Sequence, residues 1–132
     1  MHRRPLLATA LLPLLAACAI FDRDPANEPA RVVFFDEDSD TLDETARQIV
    51  RGAADAARGY GNVRVNVFGY AGPDGGAAFN RALSASRATH VSELLRQYGV
   101  PAERVFIIGR GPVPFEMAPV ESRRVEIRLA GF

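Results

Sequence analysis

Asn80-Arg81-Ala82-Leu83-Ser84-Ala85-Ser86-Arg87-Ala88-Thr89-His90-Val91 sits inside a segment of helical spacing, Ala77 to Tyr98, closed by Gly99 and Pro101. At about 100° per residue, Phe79, Leu83, Val91, Leu94 and Tyr98 fall on one face. Arg87 falls among them, one turn after Leu83 and one turn before Val91, with Asn80 two turns upstream on the same side. A guanidinium on an apolar stripe is costly unless paired, and a carboxylate is its best partner. Two arrangements meet that need. Arg87 bridges an internal acid such as Asp36, Asp38 or Glu126, or snorkels outward along its stem. Alternatively it awaits an anionic ligand where the Gly-rich loop Gly69 to Gly76 meets the helix, since free backbone N–H groups there favour anions. The spacing alone leaves both open.

Outward from this helix the periods alternate. Arg31 to Phe35 is a short apolar run that predicts a buried strand. Thr41-Leu42-Asp43-Glu44 fits a capping box, with Thr41 as cap and Glu44 three residues on. Leu42, Ala46, Ile49, Val50, Ala53 and Ala57 then recur at helical spacing up to Gly59 and Gly61. Val63, Val65 and Val67 alternate with Arg64 and Asn66, the pattern of a half-buried strand. Val105 to Ile108 predicts another buried strand, and Val125, Ile127 and Leu129 a last alternating one. The order is β-α-β-α-β-β, an α+β chain with helices against a sheet.

Composition narrows the chemistry. The 132 residues suit one domain, and 48% apolar with 24% charged residues is ordinary for a globular chain. Sixteen bases balance sixteen acids, which argues against nucleic acid as a partner. All sixteen bases are Arg, so no P-loop or Schiff-base lysine exists. His90 and the leader residue His2 are the two histidines, too few for a zinc site or a His-based triad in the mature chain. His90, at the edge of the helix face, is expected to pack as a core histidine. Asp36, Glu37, Asp38, Asp40, Asp43 and Glu44 crowd one segment, but Thr41 and Arg47 stand where an EF-hand needs Gly and Glu. That segment is expected to be a solvated acidic edge. No enzyme, metal or cofactor is expected.

The amino terminus is an address. Met1-His2-Arg3-Arg4 and an apolar run from Pro5 to Leu15 make a secretory leader, too short and too Pro-broken to span a bilayer. Leu15-Ala16-Ala17-Cys18 resembles a bacterial lipobox, which implies cleavage after residue 17 and a lipidated Cys18 carrying palmitate. Ala19 after the cysteine, rather than Asp, implies the outer membrane. The expected organisation is therefore a signal peptide at 1–17, lipidated Cys18 and a Pro-containing linker to residue 30, and one domain at 31–132.

The helix quoted at the outset also resembles the NxxLSxxRAxxV signature of OmpA-like peptidoglycan-associated domains, the family of the Pal lipoproteins and of the MotB periplasmic domain. Phe34 to Leu42 is similar to the opening strand and serine-containing turn of that family. Gly109-Arg110-Gly111 resembles its GYG strand end, and Ser122-Arg123-Arg124-Val125-Glu126-Ile127 resembles its NRRVEI. The likeness runs in order through nearly all of residues 31 to 129. It implies a mixed sheet with helices packed on one face. It also implies non-covalent, non-catalytic binding of peptidoglycan at the diaminopimelate of the stem peptide, with the domain facing the periplasm. Arg87 would take a carboxylate of that residue, and an Asp of a GHTDxxG motif its ammonium.

At that motif the chain departs from the family. GHTD falls on Gly69-Tyr70-Ala71-Gly72, so Gly72 stands where the Asp should be. Asp74 is the nearest carboxylate, either a replacement or a turn-former before Gly75. Ser122 replaces the Asn of NRR. The candidate peptidoglycan-binding residues are Arg87, Asn80, Asp74, Gly72 and Arg124. The alternative is a domain that kept the fold, lost the ligand and binds another envelope protein.

Overall fold

The computed structural model describes residues 23–132; the signal-peptide and Cys18 expectations lie outside that range. The order is β1 (Arg31–Phe34), α1 (Glu44–Gly59), β2 (Arg64–Ala71), α2 (Ala77–Gln97), β3 (Val105–Pro112) and β4 (Arg124–Ala130). This is the expected β-α-β-α-β-β sequence. The strands form one mixed sheet in the order β1-β4-β2-β3. β4 runs antiparallel to both β1 and β2, while β2 and β3 are parallel. Both helices cover one face of the sheet.

Alternation decides which face. Val65, Val67 and Ala71 of β2 and Val125, Ile127 and Leu129 of β4 point into the core with Val33. Val50, Ala53, Ala54 and Ala57 of α1 and Ala88, Val91 and Leu95 of α2 close over them. Among the described residues the opposite face carries no α-helix and stacks guanidinium groups on aromatic rings. Arg64 lies 3.9 Å over Phe106, Arg124 4.0 Å over Tyr70 and Arg110 4.9 Å over Phe68.

Several local expectations are corrected. The cap of α1 is Asp43, whose carboxylate accepts from the Ala46 N–H at 2.7 Å; Thr41 lies two residues before that cap. Asp competes for the first free N–H groups as well as Thr does. β1 and β3 are the sheet edges rather than buried strands: Phe34 is exposed and Ile107 is 49% exposed. An apolar run cannot report whether a neighbouring strand exists on its far side. Within the stretch read as linker, Pro25–Asn27 forms a 3-10 turn capped by Asp24, and the Tyr60 hydroxyl donates to Glu28.

The face of α2 is also rotated from expectation. Phe79 is 54% exposed, while Asn80, Ser84, Arg87, Ala88, Val91, Ser92 and Leu95 are buried. The cause is Gly69. A Cβ there would lie 1.9 Å from the Ser84 carbonyl oxygen, so strand and helix touch backbone to backbone. Only small residues fit that contact, which turns Ser84 and Ala88 inward and Phe79 outward. His90 is no core histidine either; it is half-exposed, with Nδ1 2.9 Å from the Asp40 carbonyl oxygen.

Candidate functional site

The carboxyl ends of β1 and β2 open beside the first half of α2. There a cleft of about 230 Å³ is lined by Glu37 and Asp38 after β1 and by Gly72, Pro73 and Asp74 after β2. Asn80, Leu83 and Arg87 of α2 form its floor, and Phe115, Pro119, Ser122 and Arg123 from the β3–β4 connection its far wall. The volume suits one amino-acid-sized group. Its position follows from the topology: three connections converge where α2 is pressed onto Gly69.

Arg87 is the centre of this arrangement, with no exposed surface at all. Its Nε donates to the Ser39 carbonyl at 2.7 Å, Nη1 to the Tyr70 carbonyl at 3.0 Å and Nη2 to the Asp36 carbonyl at 3.1 Å. The guanidinium carbon lies 5.2 Å from the centre of the Phe35 ring. Among the described residues no carboxylate comes within ion-pairing distance of it. The internal pairing considered from sequence, to Asp36, Asp38 or Glu126, is therefore not made; Asp36 serves through its carbonyl. Three of five N–H groups are engaged, leaving hydrogen-bonding capacity and a buried positive charge.

The electrostatics match. Burial lowers the Arg87 pKa from its ordinary value, and the neighbouring charge of Arg123 lowers it further; Asp38 and Asp40 oppose both. A guanidinium remains cationic at neutral pH regardless. Arg123 is itself held by donating from Nε to the Phe35 carbonyl at 2.9 Å. Two guanidinium groups thus face a cleft whose other rim carries Glu37, Asp38 and Asp74. The arrangement suits a ligand with both an anionic and a cationic end.

The sequence candidates divide. Arg87, Asn80, Asp74 and Gly72 are brought together. Asn80 acts on the loop, its side-chain amide donating to the Asp74 carbonyl at 2.7 Å. Arg124 does not line the cleft. It lies on the helix-free face, bonded to Glu126 at 3.0 Å and to the Glu121 carbonyl at 2.6 Å, because β4 alternation sends its neighbours Arg123 and Val125 the other way. Arg123 stands at the cleft instead. Adjacent arginines carry no signal of which one faces inward until the strand register is known. The acidic segment also faces the cleft through Glu37 and Asp38, where a merely solvated edge was expected.

A protein-family model described as the OmpA family matches residues 34–123. The chain belongs to the OmpA family. This OmpA-family domain is 35% identical over 79 residues to a peptidoglycan-associated lipoprotein of Agrobacterium fabrum, covering 60% of the chain and 45% of that protein. It is 38% identical over 119 residues to an outer membrane protein of Gluconacetobacter diazotrophicus, covering 79% of the chain and 31% of that protein. The chain thus spans less than half the length of these two curated relatives. Among solved structures, the peptidoglycan-associated lipoprotein from Burkholderia pseudomallei matches with a TM-score of 0.72 at 22% identity, covering 80% of this chain and 99% of that one. The C-terminal domain of Helicobacter pylori MotB matches with a TM-score of 0.68 at 22% identity, covering 76% and 84%. These two establish the shared fold. The names of these relatives place them in the envelope and name no reaction.

Proposed function

We propose that this protein is an outer-membrane lipoprotein whose OmpA-family domain faces the periplasm and binds peptidoglycan non-covalently, tethering membrane to wall. Cys18 is the lipidation site, and the ligand is the free end of the stem-peptide diaminopimelate. The observation that carries the reading is Arg87: a fully buried guanidinium, without a carboxylate partner among the described residues, set in the wall of a cleft of single-residue size. An anionic ligand group completes it, with Arg123 adding to the positive field. The names of the relatives, one a peptidoglycan-associated lipoprotein and another an outer membrane protein, point the same way.

A second reading is favoured by Gly72 alone: a domain that lost its wall ligand and binds another envelope protein. Co-sedimentation of the purified protein with isolated sacculi separates the two. The first reading expects wild type in the pellet and Arg87→Ala in the supernatant, with Arg87→Ala confirmed as folded by circular dichroism. A folded wild type that stays in the supernatant would sink it in favour of the second.

A further inference from the structure

The cleft holds carboxylates on two loops, and their surroundings differ. We propose that Asp38, in the turn after β1, supplies the cation-binding carboxylate that Gly72 lacks, so that Arg87 and Asp38 together grip a free amino-acid end. That end carries one carboxylate and one ammonium on the same carbon. The inference rests on the peptidoglycan reading above and assigns the residue that receives the ligand's positive charge.

Four observations support it. First, Gly72 has no side chain, and its neighbour Ser122 already occupies the adjoining space: a Cβ at Gly72 would meet the Ser122 hydroxyl at 3.3 Å. Second, Arg87 donates to the carbonyls of Asp36 and Ser39, on either side of Asp38, and the Ser39 N–H closes the same turn on the Asp36 carbonyl at 3.2 Å. The guanidinium that would bind the anionic end therefore also sets where Asp38 stands. Third, Asp38 holds a left-handed backbone at φ 53°, a conformation that Asp and Asn tolerate better than other side chains. Fourth, the competing acids are placed differently. The Asp40 carboxylate accepts the Ser86 hydroxyl, whereas no hydrogen bond or ion pair engages that of Asp38 among the described residues. Asp74 sits in the loop after β2, whereas the charge of Asp38 acts on Arg87 and opposes the effect of its burial.

Two oppositely charged partners in one small cleft select for a zwitterion, because each also penalises the wrong charge at its own end. A ligand that loses its amine should therefore lose affinity, and only where the responsible carboxylate is present.

The test is calorimetric titration of the purified protein with a soluble stem peptide containing diaminopimelate. The same peptide acetylated on its free diaminopimelate amine runs in parallel, together with sacculus co-sedimentation. Wild type is expected to prefer the free amine by about tenfold or more, the scale of one charge-assisted contact. Asp38→Asn, which keeps the left-handed turn, should bind the two peptides alike and the free form about tenfold more weakly. Asp74→Asn and Glu37→Gln should retain the preference. An unchanged preference in folded Asp38→Asn, or its loss in Asp74→Asn or Glu37→Gln, would overturn the assignment while leaving peptidoglycan binding intact. No binding of wild type to peptide or sacculi would overturn both.

Discussion

The Arg87 Nε–H donates to the carbonyl oxygen of Ser39 at 2.7 Å, joining the middle of α2 to the turn after β1 across 48 positions of sequence. With the Asp36 and Tyr70 carbonyls it makes Arg87 a clasp for two loops as well as the floor of the cleft. One side chain thus both holds the loops and lines the cleft.

Arg87→Ala would leave three carbonyls without their donor and a void in a packed wall. It is expected to lower unfolding free energy by about 2–4 kcal/mol. Arg87→Lys keeps the charge but not the three-way fork, and should lose about 1–2 kcal/mol. Urea denaturation measures both; two variants within about 0.5 kcal/mol of wild type would contradict the clasp.

Gly69→Ala addresses the strand–helix contact. Its methyl group would sit 1.9 Å from the Ser84 carbonyl oxygen, a backbone atom that cannot rotate aside. Separating β2 from α2 would open the cleft and the core together, at about 3 kcal/mol or more. A melting temperature within about 2 °C of wild type would show that the helix shifts freely.

Asp43→Ala should destabilise by about 1 kcal/mol through loss of the Ala46 N–H contact, and Thr41→Ala by less than about 0.5 kcal/mol. The reverse ranking in chemical denaturation would restore Thr41 as the cap.

Acid should weaken the helix-free face through Glu126. Burial raises its pKa, but hydrogen bonds from Arg124 and Arg128 outweigh that and hold it below the ordinary carboxylate value. A carboxylate depressed in the folded state stabilises above its unfolded pKa, and that stability is lost as pH falls through the folded value. Glu126→Gln should therefore cost stability at about pH 6, by about 1 kcal/mol or less, with the difference from wild type closing toward about pH 2. Thermal melts across that range check it; a difference independent of pH would assign the effect to packing.

The amphipathic runs reported the elements well because burial on one face leaves a period in the chain: the valines of β2 and β4 and the alanines of α1 stand where alternation and helical spacing put them. Arg87 was legible for the converse reason, a charge interrupting an apolar stripe. The edge positions of β1 and β3 were not, since a strand's own residues say little about its neighbours. The outward turn of Phe79 was hidden too, because it arises from a glycine eleven positions before Asn80 that admits the helix at backbone distance.

Local chemistry along the chain was therefore enough to establish six elements in order and a cation on the apolar stripe of the second helix, properties that depend on residue type and spacing alone. The missing acid at Gly72 came from the resemblance to the OmpA-like motif. Which acids meet that cation, and that Arg123 rather than Arg124 stands beside it, came from bringing β1 and β4 together in register and pressing α2 onto Gly69. Such contacts are non-local: they depend on which faces meet after the chain closes, and no stretch of neighbouring residues encodes that choice.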